Sequence, residues 1–306
     1  MQQFSIRILF VLSLLIGLGT GATVSAEDTA KTAPVNLTIE QWVGHTFTFR
    51  ELPADKQAAG YGIFKIDQAT QGFDGDQSVR LPYSAYVKKQ VTVTEIANFP
   101  AGNTVNEAMV YMTVNETGEK LVGRSMRQQL DSLLLTSDLS DARNQFLNKT
   151  VYPKFRELSG WSSTGETPVA PVAIKIGSPV TVIDVYPGIQ SQEPIWLIVS
   201  VNNEKAILPI NYSWTNTPVA SWSKNPAWKS YLFTEDPRIS LGWSRELWTK
   251  IENASVVEGM NKGQIMLSWG KPVSMEENNS VWIYGSKKLS FDGDVLRSIS
   301  IIDASK

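Results

Sequence analysis

Three blocks of this 306-residue chain recur in the same order. HTFTFREL (45–52) is answered by TVYPKFREL (150–158), and KKQVTVTEI (88–96) by GSPVTVIDV (177–185). VYMTVNETGEKLVG (110–123) is answered by WLIVSVNNEKAILP (196–209). An ordered recurrence of this kind predicts a duplicated unit and constrains the fold before any motif is weighed. Within the blocks apolar and polar residues alternate, and turn signals such as NFPAGNT (98–104) divide them, which predicts short strands of a small barrel or sandwich. In the two FREL copies, Phe49, Leu52, Phe155 and Leu158 are the expected anchors, with the Arg and Glu charges facing water.

The fold expected is mainly β and multidomain: two related small β-barrel-like domains followed by an α+β domain. The first β-domain is placed at 37–125, a helical connector at 126–149, and the second β-domain at 150–212. An aromatic-rich bridge fills 213–243, and the last domain 244–306. That last domain reads α-α-β-β-β. SRELWTKIEN (244–253) opens on Ser244 as N-cap, and NKGQIMLSWG (261–270) opens on Asn261 and stops at Gly270, two residues before Pro272. Strands SVWIYG, KKLSF and VLRSISII follow, the last two divided by the FDGDV turn.

The chain begins with one positive charge, Arg7, then the apolar run ILFVLSLLIGLG and the small-residue end TVSA. This is the pattern of a secretory signal peptide over 1–26, with cleavage after Ala26. A polar leader over 27–36 is expected to be mobile. The apolar run falls short of a membrane span, and no later segment reads as one, so the exported chain is expected to be soluble. The sequence holds no cysteine, so it has neither disulfides nor a thiolate metal site nor a lipid-bearing cysteine. That combination points to a bacterial periplasm or exterior and away from a lipoprotein. With 28 basic and 30 acidic residues there is no basic field to draw nucleic acid.

The last domain carries a resemblance. Gly259, Met260, Asn261, Gly270, Pro272, Trp282, Tyr284, Phe291, Gly293 and Val295 stand in a pattern that resembles the BamE/SmpA/OmlA-like family of bacterial envelope domains, over about 244–303. The resemblance implies an α+β interaction module tied to outer-membrane assembly or envelope stability, without catalysis. The missing lipid-bearing cysteine departs from that family's membrane-anchored role. More weakly, the duplicated part resembles bacterial Src-homology-3-like barrels, which implies peptide or cell-wall binding.

Catalytic and metal residues are not expected, and neither is a cofactor. His45 is the only histidine, so a two-histidine metal site is impossible, and no G-x-S-x-G elbow accompanies it. The FDGD stretches at 73–76 and 291–294 lack the spacing of a calcium loop and read as turns. The candidate binding residues are Trp214, Trp222, Trp228, Tyr231 and Trp243, aromatic side chains among Ser, Thr, Asn and Lys that suit binding hot spots. The competing role for them is to cement the β-domains to the last domain. The function expected is that of a non-catalytic envelope protein binding another protein or the cell-wall polymer. A cell-envelope hydrolase using His45 and a structural spacer are the alternatives.

Overall fold

A computed structural model describes residues 35–99, 107–161, 170–189, 193–217 and 224–302. The expected signal peptide, most of the polar leader and Trp222 lie outside them. The described chain is mainly β, with two curled half-barrel sheets and a smaller third sheet. Among the described residues no helix is long and apolar enough to cross a membrane.

The first sheet holds β1 (Thr46–Phe49), β2 (Ile63–Lys65), β3 (Gln90–Asn98), β4 (Glu107–Val114), β5 (Lys120–Met126) and β6 (Leu133–Leu135), in the order β2-β5-β4-β3-β1-β6. The second holds β7 (Thr150–Pro153), β8 (Glu157–Gly160), β9 (Val172–Ala173), β10 (Val180–Pro187), β11 (Ile195–Val201), β12 (Glu204–Ile210) and β13 (Leu232–Phe233). Its order is β13-β7-β10-β11-β12-β8-β9. Read from the other edge and with β9 set aside, that is the same order built from strands in the same sequence succession. All the pairings are antiparallel.

The register agrees residue by residue. The backbone of Val93 pairs with Gly44 and His45, and that of Val182 with Asn148 and Lys149. This aligns QWVGHTFTF (41–49) with QFLNKTVYP (145–153). In both halves a helical turn ends at Trp42 or Phe146, the next residue is extended, and then comes a residue of positive φ, Gly44 (85°) or Asn148 (60°). Both third-strand ladders also slip at the same place, between Val93 and Glu95 and between Val182 and Asp184. A bulge repeated at one position is a feature of the architecture, since an extra residue there bends the strand and increases its twist.

FREL does not mark this equivalence. Phe49 aligns with Pro153, so the second FREL sits two residues out of step, and the ladder of β8 on β12 matches Leu158 to Ile63 and not to Leu52. Leu52 and Leu158 are buried as expected, and Phe155 is half-buried. Glu157 is exposed as expected, and the arginines depart from expectation. Arg50 is only 2% exposed. Arg156 reaches three backbone carbonyls, of Ile251, Glu252 and Ser268.

Each half-barrel folds over its own apolar cluster, filled from equivalent positions. Trp42, Phe47, Val91, Val93, Met112 and Leu121 occupy the first; Phe146, Val151, Val180, Val182, Val199 and Ala206 occupy the second. Alternate residues of the strands point inward, the burial pattern that a curled sheet with one wet face requires. The stretch 126–149, read as a helical connector, is divided between the halves. It supplies β6 to the first sheet and then helix Thr136–Phe146, which ends in the second core.

Residues 211–217 lock these parts together with buried polar groups. Asn216 accepts a hydrogen bond from the Leu130 N–H at 2.7 Å and donates to the carbonyls of Leu130 and Leu133. Ser213 donates to Asp138 at 2.6 Å, while Thr215 and Trp214 hold Val35, Asn36 and Leu37. Part of the leader's end is therefore fixed and not free.

The C-terminal part has the two expected helices, Arg245–Glu252 and Lys262–Trp269. Ser244 caps the first, and Asn261 with Gln264 forms a capping box on the second. Gly270 ends it at φ 79°, where a side chain would be strained. Four strands follow and not three: β14 (Ser274–Glu276), β15 (Val281–Tyr284), β16 (Lys287–Asp292) and β17 (Val295–Ile301), an antiparallel meander in chain order. Sequence reading misses β14 because it is three residues long and exposed on two of them. Trp248, Ile251, Ile265, Trp282, Leu289 and Phe291 form the third core.

Candidate functional site

The halves differ in length where the first strand leads into the second. In the second half only residues 154–157 separate Pro153 from Leu158. In the first half residues 50–62 separate Phe49 from Ile63, and they include the one-turn helix Ala54–Gln57. This insertion walls a cleft of about 570 Å³, within the size range of small-ligand sites. Its apolar wall comes from Leu52, Pro53 and Ala59, and Ile189 reaches it from the loop after β10. Gly60 keeps φ at 69°, and a Cβ there would lie 2.3 Å from the Leu81 carbonyl oxygen. Only glycine lets the insertion return so closely to the body of the half-barrel.

Three cations and one acid line this cleft: Arg50, Lys56, Arg80 and Asp131. None of the four forms an ion pair with a described residue. Arg50 is held by its backbone, whose N–H donates to Ser132 and whose carbonyl accepts from the Tyr61 hydroxyl at 2.6 Å. Among the described residues its guanidinium makes one long bond, Nη1 to the Gly188 carbonyl at 3.4 Å, and its buried Nε has no partner. Burial pulls the Arg50 pKa down to about 10, and the nearby Asp131 pulls it back up. The side chain is therefore still a cation at neutral pH. Arg80 donates to Gln77 at 2.7 Å, yet its Nε is also buried without a partner.

The position equivalent to Arg50 in the second half is Lys154, which is half-buried. Burial lowers its pKa to about 8. Here the cation is satisfied from within: Nζ donates to the Lys229 carbonyl at 2.5 Å and lies 4.2 Å from the centre of the Phe233 ring. The cation at this position thus has partners within the chain in one half and lines a cleft in the other.

The aromatic residues expected to bind ligand take packing positions where they are described. Trp214 is 8% exposed and donates its indole N–H to the Asn225 carbonyl. Trp228 is buried against Phe146, with ring centres 5.4 Å apart. Tyr231 is half-buried beside Phe155, and burial pushes its pKa up to about 12. Trp243 lies over Trp248 at 5.3 Å in the third core. Trp228 and Tyr231 adjoin one core and Trp243 another. His45 is exposed, and its ring has no hydrogen-bond partner among the described residues. No hydrogen bond or ion pair joins it to an acid or a serine of a triad among the described residues.

The cleft residues escaped sequence reading because nothing in their spacing joins 50, 56, 80 and 131. The available signal was FREL itself, read as a mark of repetition and not as the start of an insertion. Compared with family models, curated proteins and solved structures, the chain matches none.

Proposed function

We propose that this chain is a non-catalytic, exported protein of the bacterial envelope, whose duplicated β-domains and BamE-like last domain serve to bind another protein or the cell-wall polymer. The observation that carries the reading is the cleft of the first half-barrel. It combines unpaired cations with an apolar wall, a lining suited to holding a ligand. The shared strand order, register and bulge support descent from one duplicated unit, and the insertion marks the copy that acquired a site. The signal-peptide pattern supports export. The capped helices and the Trp282–Phe291 contact at 5.0 Å are compatible with the BamE-like resemblance and hence with an interaction role.

The test is photocrosslinking in cells, with a photoreactive residue at Lys56 on the cleft and, as control, at Glu116 on the exposed β4–β5 turn. Co-sedimentation with purified cell-wall sacculi accompanies it. Specific capture at Lys56, or sedimentation with sacculi, supports the reading. Failure of both would favour the spacer alternative.

A further inference from the structure

Arg50 is a buried cation that the fold leaves incompletely paired. Such a group is unfavourable in isolation, because water has been removed and little replaces it. Lys154 shows that this fold can satisfy a cation at the same position from its own carbonyls and an aromatic ring. At Arg50 the guanidinium's partner among the described residues is a single 3.4 Å contact, and Arg50 lines a cleft shared with Arg80 and Lys56.

A planar guanidinium matches a carboxylate through two parallel N–H···O bonds, a geometry that a lysine cannot offer. Asp131 on the same cleft disfavours a multiply charged phosphate and favours a ligand with an N–H donor beside its anion. The walls of Leu52, Pro53 and Ala59 suit small apolar substituents. A carboxylate, a neighbouring amide N–H and a short side chain together describe the end of a peptide.

Building on the binding reading above, we infer that the Arg50 cleft is a binding site for the terminal carboxylate of a peptide, with Arg50 as its anchor and Arg80 and Lys56 as rim cations. Two sources share this chemistry: the C-terminus of a protein, and the D-amino-acid peptide of a cell-wall polymer.

The experiment is isothermal titration calorimetry of the full chain with N-acetyl-L-Ala-L-Ala and N-acetyl-D-Ala-D-Ala, each beside its C-terminal amide. At least one acid is expected to bind roughly 10- to 100-fold more tightly than its amide, the range for a charge-assisted hydrogen bond. The L and D arms then identify the source. Arg50→Met is expected to reduce binding by the same factor, and Arg80→Gln, nearer solvent and safer for folding, to weaken it less. Equal binding of acid and amide, binding of neither acid, or unchanged binding by both variants would overturn the inference. Inorganic phosphate that displaces the peptide acid at equal concentration would overturn the choice of carboxylate. If the peptides fail while sacculi or the Lys56 crosslink still report a partner, this inference falls and the broader binding reading stands.

Discussion

Two arginines that the sequence presents as the same residue of a repeated tetrapeptide have different tasks. Arg50 sits at the end of β1 and faces a cleft. Arg156, two residues out of step, fastens the end of helix Arg245–Glu252 by donating to the Ile251 and Glu252 carbonyls, and to Ser268 in the neighbouring helix at 3.0 Å. The last carbonyls of a helix have no partner within the helix; Arg156 binds that of Glu252 and adds a second donor at Ile251, which already accepts from the Ala254 N–H. Arg156→Met is expected to lower stability by about 2 kcal/mol, seen as a lower urea midpoint with an unchanged slope. An unchanged midpoint would show that the clamp is dispensable. Neither task was legible in the sequence, because the partner of each arginine is a backbone carbonyl far away in the chain.

Asp138 is a further residue whose behaviour depends on burial. It is 5% exposed, and desolvation raises its pKa from 3.8 to about 7, against the hydrogen bonds from Ser213 that pull it down. The folded state therefore holds the proton more tightly than the unfolded chain does. The contribution is fully present below about pH 3.8 and is lost as pH rises through about 7. It amounts to roughly 4 kcal/mol at most. Asp138→Asn should flatten the fall in stability between these pH values in urea melts taken across the range. A slope that persists unchanged would assign it to other groups.

At the scale of elements, the sequence foretold the strands and their duplication better than their joints. The VTV and EK blocks occupy matched registers because their alternation fixes which residues face the core, and a one-residue slip would turn every apolar side chain outward. FREL lies at a joint, where the two copies differ by an insertion, and there identity of letters gave the wrong alignment. Likewise β6 and β13 are short pieces lying far along the chain from the strands they flank, with no local pattern to announce them. The bridge was read for its tryptophans, while its polar residues do the joining. Asn216 alone satisfies three backbone groups of the turn before β6 and of its first residue. Asn216→Ala should cost about 3 kcal/mol. Hydrogen exchange would show it as faster exchange of the Leu130 amide; protection unchanged at that site would contradict the role.

Over the whole molecule, two topologically equivalent half-barrels and a helix-backed meander each enclose their own apolar core, and the residues between them are used as straps. The two halves also act as a comparison built into one chain. One keeps a short joint and a self-satisfied lysine. The other has an insertion, a cleft and an arginine left short of partners. That contrast is the central claim, and the substitution pair Arg50→Met and Lys154→Met tests it directly. Removing a poorly paired buried charge should leave stability unchanged or raise it, whereas Lys154→Met loses the bond to the Lys229 carbonyl and the cation contact with Phe233 and should lower it. Calorimetric titration of both folded variants with the better-binding acetyl-dipeptide acid is the decisive measurement. The account predicts that Arg50→Met retains its fold and loses binding at least roughly 10-fold, while Lys154→Met binds as the parent does. Retained binding in Arg50→Met, or an equal loss in both, would contradict it.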